Sequence, residues 1–334
     1  MLAAIFGLSG EALSEDERAF FRDADPAGYI LFRRNCRTRE QLRALTDELR
    51  ALHGRDDLPI LIDQEGGRVA RLGPPEWPEF PAAGCFAELY AKAPMSAIQA
   101  ARLNGQAIAA VLREAGATVD CAPLLDVARS GTHPIISERA YGSDPMQVAA
   151  LGRAMLDGLS AGGVVGVVKH LPGQGRAEAD SHERLPIVSA PEADLETDLT
   201  PFRALAAAPM GMVAHVLYTA WDEAEPASRS PVIIEQIIRR RLAFTGFLMS
   251  DDIAMAALSG APGERARAVV EAGCDAALHC SGVLAEMLEV AAAVPPLTAA
   301  AVERRTAAMA TVAGSHGAGY EELSEQRDRL LAYA

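Results

Sequence analysis

Apolar runs of strand length recur along the chain, each followed by a stretch in which apolar and polar positions alternate at helical spacing. The runs predict strands at 3–9, 28–32, 58–63, 117–127, 163–170, 210–218, 246–251 and 274–280. The helical stretches begin near residues 14, 38, 96, 145, 192, 232, 263 and 282. Several have start signals. Ser14 and Glu17 stand at capping-box spacing, Ser143 and Asp144 precede Pro145, and Ser230 precedes Pro231.

Strand then helix, eight times over, predicts parallel strands joined by right-handed crossovers. The fold class is therefore α/β, and the count points to a TIM (β/α)8 barrel. No repeat, low-complexity tract or linker divides the chain, so residues 1–334 are expected to form a single catalytic domain. A helical tail from about residue 296 is expected to pack against the barrel exterior. The alternative is a doubly wound sheet, which brings a glycine-rich phosphate loop after its first strand. GLSGEA at 7–12 matches that loop poorly, and the pair Gly173 and Gly175 lacks the third glycine.

In a barrel, chemistry gathers at the C-terminal ends of the strands. Here the predicted strands end in Asp63, Asp126, Lys169 with His170, His215, and Asp251 with Asp252. The long connections 64–95, 128–144, 171–191 and 218–231 fall on the same rim and are rich in Gly and Pro, as binding loops are.

Composition narrows the choice of partner. The chain carries 31 basic and 45 acidic residues, a formal charge of −14. A surface this acidic repels phosphate backbones and anionic lipid, so neither nucleic acid nor a membrane is an expected partner. No apolar run reaches the ~18 residues that a bilayer span needs. The five cysteines are scattered and show no C-x-x-C, which fits a reducing compartment. The start, MLAAIFGLSGEALSEDE, lacks a basic n-region and a small-residue cleavage site, and reads as a first strand. The expected address is the cytoplasm.

The densest chemistry lies in KHLPGQGRAEADSHERLP, residues 169–186. This segment is too polar for core and follows directly on an apolar run. A lysine left unpaired at the end of an apolar strand would be costly. The rim as a whole offers carboxylates (Asp63, Asp251), cations (Arg71, Arg139, Lys169) and imidazoles (His170, His182). A G-x-S-x-G elbow is absent, which argues against an acyl-transfer serine. Asp and His at strand ends would suit zinc or manganese, but the H-x-H pair of barrel metallohydrolases is missing. Glycoside hydrolysis needs only a carboxylate nucleophile and an acid/base on either side of the anomeric carbon, with charged groups to hold hydroxyls.

LPILIDQEGGRVARL (58–72), ISERAYGSDP (136–145), KHLPGQGRAEADSHERLP (169–186), AHVLYTAWDEAEPASRSP (214–231), FTGFLMSDDIAM (244–255) and EAGCDAALHC (271–280) stand in a fixed order. Together they resemble the β-N-acetylhexosaminidases of glycoside hydrolase family 3, the single-domain bacterial enzymes of cell-wall recycling. The resemblance spans roughly residues 1–290. It implies a TIM barrel, no metal and no organic cofactor. By resemblance, Asp251 is the catalytic nucleophile, His182 an unusual histidine acid/base, and Asp180 the carboxylate that pairs with it. Asp63, Arg71, Arg139, Lys169 and His170 match the sugar-binding positions. The implied reaction is retaining removal of terminal N-acetylglucosamine from fragments whose next unit is 1,6-anhydro-N-acetylmuramic acid carrying a peptide. The expected partner is thus a small carbohydrate, acted on by a monomer.

Residues two apart in an extended loop face the same way, so Asp180 and His182 can hydrogen-bond around Ser181. An aspartate beside a histidine fixes its tautomer and stabilises the protonated ring. Imidazole titrates near ~6.5, so such a pair can protonate a leaving oxygen and then deprotonate water. Gly173 and Gly175 are expected to let the loop swing over the site. The family shows K-H-F-P-G-H-G, whereas this chain reads K-H-L-P-G-Q-G, with Leu171 for Phe and Gln174 for the second His. Asp252 reads as a helix cap, Met249 and Met255 as packing. Glu65 carries no assigned chemistry, and His215 and Asp126 either line the pocket or are ordinary rim residues. Phosphorolysis stands beside hydrolysis, because a histidine acid/base does not repel phosphate as a carboxylate would. A metal-dependent barrel hydrolase and a barrel that binds sugar without cutting it are the other classes.

Overall fold

The computed structural model describes residues 1–129, 133, 136–312 and 318–333. Eight parallel strands close into a barrel in sequence order: β1 Leu2–Gly7, β2 Pro26–Leu31, β3 Ile60–Ile62, β4 Val119–Asp120, β5 Val165–Leu171, β6 Met210–Val213, β7 Phe247–Asp252 and β8 Ala276–His279. Pairing of Ala4 with Ala277 and Ile5 with Leu278 joins the last strand to the first.

Alternate residues along each strand face in and out. Inward residues such as Ile5, Ile30, Leu61, Val119, Val165, Val167, Met210, Met212, Phe247, Met249 and Leu278 fill the barrel. Outward residues such as Phe6, Tyr29, Leu31, Ile60, Ile62, Val168 and Leu248 join the larger core under the helices. With both faces covered, a strand reads as a continuous apolar run, which is why the runs were legible. Met249 packs inside the barrel as expected, while Met255 reaches the wall of a cavity on the rim.

The helices follow the same rhythm: α1 Glu15–Ala24, α2 Arg39–His53, α3 Ala83–Lys92, α4 Pro94–Glu114, α5 Pro145–Ala161, α6 Glu192–Ala204, α7 Pro262–Glu271, α8 Leu284–Ala293, α9 Ala299–Ala310 and α10 Tyr320–Leu331. The Ser14 capping box forms in both directions, at 3.1 Å to the Glu17 N–H and 3.0 Å back to the Ser14 N–H. Asp144 caps α5 by accepting from the N–H groups of Met146 and Gln147, with Pro145 in the first turn. Ser230 accepts the Ile233 N–H, but the helix that follows, Ile233–Arg241, is π-wound.

Three expectations are corrected. The run 117–127 yields a regular strand of only two residues; beyond it pairing with β5 is irregular around Pro123, which has no N–H to give and whose carbonyl accepts the Lys169 N–H at 3.2 Å. The connection 64–95 is not plain loop, since it contains a hairpin, Gln64–Gly66 with Val69–Ala70, and helix α3. The tail does not simply lie on the exterior. Helix α9 closes the floor of the barrel, where Ala301, Ala308 and Met309 join the interior cluster. Helix α10 lies outside, held to α4 by Arg327 donating to Asn104 at 3.0 Å. Residues 130–132 and 134–135, within the long connection 128–144, lie outside the described residues. Among those described, no helix is long and apolar enough to cross a membrane.

Candidate active site

A cavity of about 260 Å³ opens at the C-terminal ends of the strands. Asp63, Arg71, Arg139, Lys169, His170, Asp180, His182 and Asp251 all line it. All eight residues singled out from the sequence therefore line one cavity, although they come from four separate motifs of the chain.

The charged half is built on the first long connection. Gln64, fully buried, zips its own hairpin: its Oε1 accepts the N–H groups of Arg71 and Leu72 at 3.0 Å each, and its Nε2 donates to the Leu72 carbonyl at 2.9 Å. This brings Arg71 back beside Asp63. Arg71 Nη2 donates to Asp63 Oδ2 at 2.8 Å, and the guanidinium lies over the Phe32 ring at 5.0 Å. Lys169, at the end of β5, bridges Asp63 Oδ1 at 2.9 Å and Glu65 Oε1 at 2.6 Å. Arg139 grips Glu65 with two bonds of 2.7 and 2.8 Å.

Three cations and two carboxylates thus interlock almost out of water, an arrangement that leaves no charge unpaired. Burial pushes the Asp63 carboxyl up, but Lys169 and Arg71 outweigh it and hold the group well below the usual carboxylate range. The same contest, with Lys169 and Arg139 prevailing over burial, holds Glu65 at about 2. Burial alone would lower the Lys169 ammonium; Asp63 and Glu65 raise it instead. Beneath them, Asp120 accepts the Gln64 N–H at 3.0 Å, while burial pushes its carboxyl well up. Glu65 received no role from the sequence, yet it ties two of the sugar-binding candidates together. Its spacing of two from Asp63, on one side of an extended hairpin, was the available signal.

The other half centres on Asp251, 7% exposed at the end of β7. Its Oδ1 accepts the N–H of Asp252 at 2.8 Å, and His170 Nε2 lies 4.0 Å from its Oδ2. His170 is oriented from behind. Its Nδ1–H donates to Asp126 Oδ2 at 2.8 Å, and Asp126 Oδ1 accepts the N–H of Gln174 at 2.6 Å. Asp126 is wholly buried. Asp252 accepts backbone N–H groups from Ala254 and Cys280, so it does cap, but it caps a turn and a strand end rather than a helix. His215 does not line the cavity. It is buried between the Ser228 hydroxyl at 2.6 Å and the Asp252 carbonyl at 3.0 Å, and burial lowers its imidazole.

Asp180 and His182 face the cavity from the loop after β5. Asp180 Oδ1 accepts both the backbone N–H and the ring Nδ1–H of His182, at 2.9 and 2.7 Å. Burial would raise the Asp180 carboxyl; the hydrogen bonds from His182 lower it overall. The base of this loop is anchored, not hinged. Tyr218 donates to the Gly173 carbonyl at 2.9 Å, and Arg176 pairs with buried Asp198 at 2.5 Å. Gly173 has φ +132°, and a Cβ on Gly175 would stand 1.9 Å from the Val127 carbonyl. Gly173 is required by its positive φ and Gly175 by close approach. Farther on, the Ser181 carbonyl accepts the Ala257 N–H at 3.0 Å, which ties the loop to the segment following Asp251.

The family model for the glycosyl hydrolase family 3 N-terminal domain matches residues 4–312. A β-hexosaminidase of Alkalilimnicola ehrlichii is 40% identical over 282 residues, 83% of this chain and 80% of that protein. One of Methylococcus capsulatus is 39% identical over 315 residues, covering 91% and 90%. Native NagZ from Neisseria gonorrhoeae superposes with a TM-score of 0.85 at 32% identity, covering 99% of this chain and 96% of that one. A second structure of that NagZ, in complex with N-trifluoroacetyl-D-glucosamine, superposes equally well. The chain belongs to the β-N-acetylhexosaminidases of glycoside hydrolase family 3.

Proposed function

We propose that the chain is a retaining exo-β-N-acetylglucosaminidase that removes terminal N-acetylglucosamine from peptidoglycan fragments, with 1,6-anhydro-N-acetylmuramoyl-peptide as the leaving half. The observation that carries this reading is the common cavity. One wall holds a nearly buried carboxylate, Asp251, and another holds a carboxylate-paired imidazole, His182. The binding of N-trifluoroacetyl-D-glucosamine by the gonococcal relative supports the sugar class.

In this mechanism Asp251 attacks the anomeric carbon while the His182 ring, held through Nδ1 by Asp180, gives a proton to the leaving oxygen. The C–O bond breaks and a glycosyl ester of Asp251 forms. Water then attacks the anomeric carbon, His182 takes its proton, the bond from that carbon to Asp251 breaks, and Asp251 leaves as carboxylate. Asp63, Arg71, Arg139, Lys169 and His170 hold hydroxyls, and Arg139 also braces Glu65. Five free cysteines, none in a disulfide, support action in a reducing cytoplasm. A monomer suffices, because every proposed residue comes from one chain.

The test is hydrolysis of an aryl β-N-acetylglucosaminide in EDTA by wild type and Asp251→Ala. Wild-type turnover is expected, with a loss of more than about a thousandfold in the variant. The product made in phosphate buffer should be free N-acetylglucosamine, not its 1-phosphate. A folded wild type without turnover, or equal turnover in both proteins, would overturn the assignment.

A further inference from the structure

Gln174 stands where the family pattern has a histidine, and it lines the cavity beside His170 and Asp180. The residue is 4% exposed. Its backbone is fully engaged: the N–H donates to Asp126 Oδ1 at 2.6 Å and the carbonyl accepts from Ala177 at 2.9 Å. Its side-chain amide has no hydrogen-bond partner among the described residues, and its polar atoms are not sealed in the protein but open to the cavity. A buried amide that meets no protein group is destabilising unless water or a ligand engages it. Here the fold has spent a buried position on a group that can both donate and accept. That is the requirement for pairing with a sugar hydroxyl, which also does both.

The placement is also rigid. The Asp126 carboxylate holds the His170 ring through Oδ2 and the Gln174 backbone through Oδ1. One buried acid therefore presents His170 and Gln174 to the cavity as a fixed pair. A purely space-filling residue at this point would have no use for an amide.

We infer that Gln174 is a substrate-contacting, specificity-determining residue, whose amide hydrogen-bonds a polar group of the sugar bound beside His170. The inference rests on the hydrolase reading above. Because an amide does not titrate, the contact keeps its strength across the pH range in which a histidine there would change charge.

The test compares wild type, Gln174→Met and Gln174→His on an aryl β-N-acetylglucosaminide, with KM and kcat resolved across pH and unfolding temperatures recorded. Gln174→Met keeps the length and the backbone bonds. It should lower kcat/KM about tenfold, mainly through KM, at an unchanged unfolding temperature, which is the loss of one hydrogen bond to substrate. Gln174→His should recover part of that loss and add to KM a pH dependence in the imidazole range beyond whatever His170 and His182 give the wild type. A Gln174→Met enzyme within about twofold of wild type, or a Gln174→His enzyme whose KM follows pH as the wild type's does, overturns the inference. A folded wild type with no turnover would sink the hydrolase reading and this inference together. An active wild type indifferent to both substitutions sinks the inference alone.

Discussion

His182 has a side chain 62% exposed, and among the described residues one group fixes its ring: Asp180, at 2.7 Å. That bond keeps the imidazole aimed at a leaving oxygen. Asp180→Asn should therefore lower kcat about 10- to 100-fold while leaving KM for the sugar little changed, since the binding groups lie elsewhere. Equal losses in kcat and binding would refute the positioning role. At the other wall, Glu65 makes a prediction about stability. Its carboxyl is held at about 2, against an ordinary value of 4.5, because Lys169 and Arg139 outweigh burial. A carboxyl depressed on folding contributes stability that is full above its unfolded value and is lost as pH falls through its folded value. The wild type should thus lose stability between about pH 4.5 and about pH 2 more steeply than Glu65→Gln does. Denaturant titrations at pH 3 and pH 6 check this, and parallel slopes for the two proteins would contradict it. Both residues lie in stretches whose chemistry the sequence displayed. What it could not display was that Glu65 spans two cations, because Arg139 arrives from 74 positions away.

At the scale of elements, the strand–helix rhythm was legible because parallel strands covered on both faces must be apolar throughout. Residues 163–170 were read as a strand and the strand is Val165–Leu171. The same rule overreached at 117–127, where the regular ladder ends before Pro123 and pairing with β5 resumes only as an isolated bridge, Leu124 with Lys169. The loop after β5 is a different case. Gly173 and Gly175 read as hinges, since glycine permits both motion and close approach and the sequence does not say which. The structure decides for close approach at Gly175, with a carbonyl 1.9 Å from where a Cβ would stand. Backbone cannot yield as a side chain tip does, so Gly175→Ala must shift the loop that carries Asp180 and His182. We expect a destabilisation of about 1–3 kcal/mol and a larger proportional loss of kcat than of substrate binding. Gly10→Ala, where nothing lies within 4 Å, is the matched control and should behave as wild type. If both variants retained full kcat, the loop base would be tolerant, and the anchoring described here would not govern catalysis.

Over the whole molecule, the candidate site and the closure of the barrel lie at opposite ends. The rim gathers every candidate catalytic group, while the floor is closed by α9, which the sequence marked as helical and which was expected on the barrel exterior. Three ties seat that helix. Leu297 donates to the Met1 carbonyl at 2.9 Å, buried Arg305 reaches Asp57 at 3.2 Å, and Arg304 pairs with Asp275 at 2.6 Å. Ala301, 1% exposed, then packs into the barrel interior. No periodicity distinguishes a helix that covers the flank of a barrel from one that stoppers it, because both need a single apolar face. The consequence is a separable effect. Ala301→Asp puts an unpaired carboxylate among apolar side chains and should cost roughly 2–4 kcal/mol of stability. The rim is built from other strand ends and loops, so the folded fraction should keep kcat within about twofold of wild type. Thermal unfolding followed alongside activity well below the transition would show the two quantities part. If activity fell with stability while the protein remained folded, the floor and the rim would be coupled through the packed interior, and the division of labour along the barrel axis would not hold for this chain.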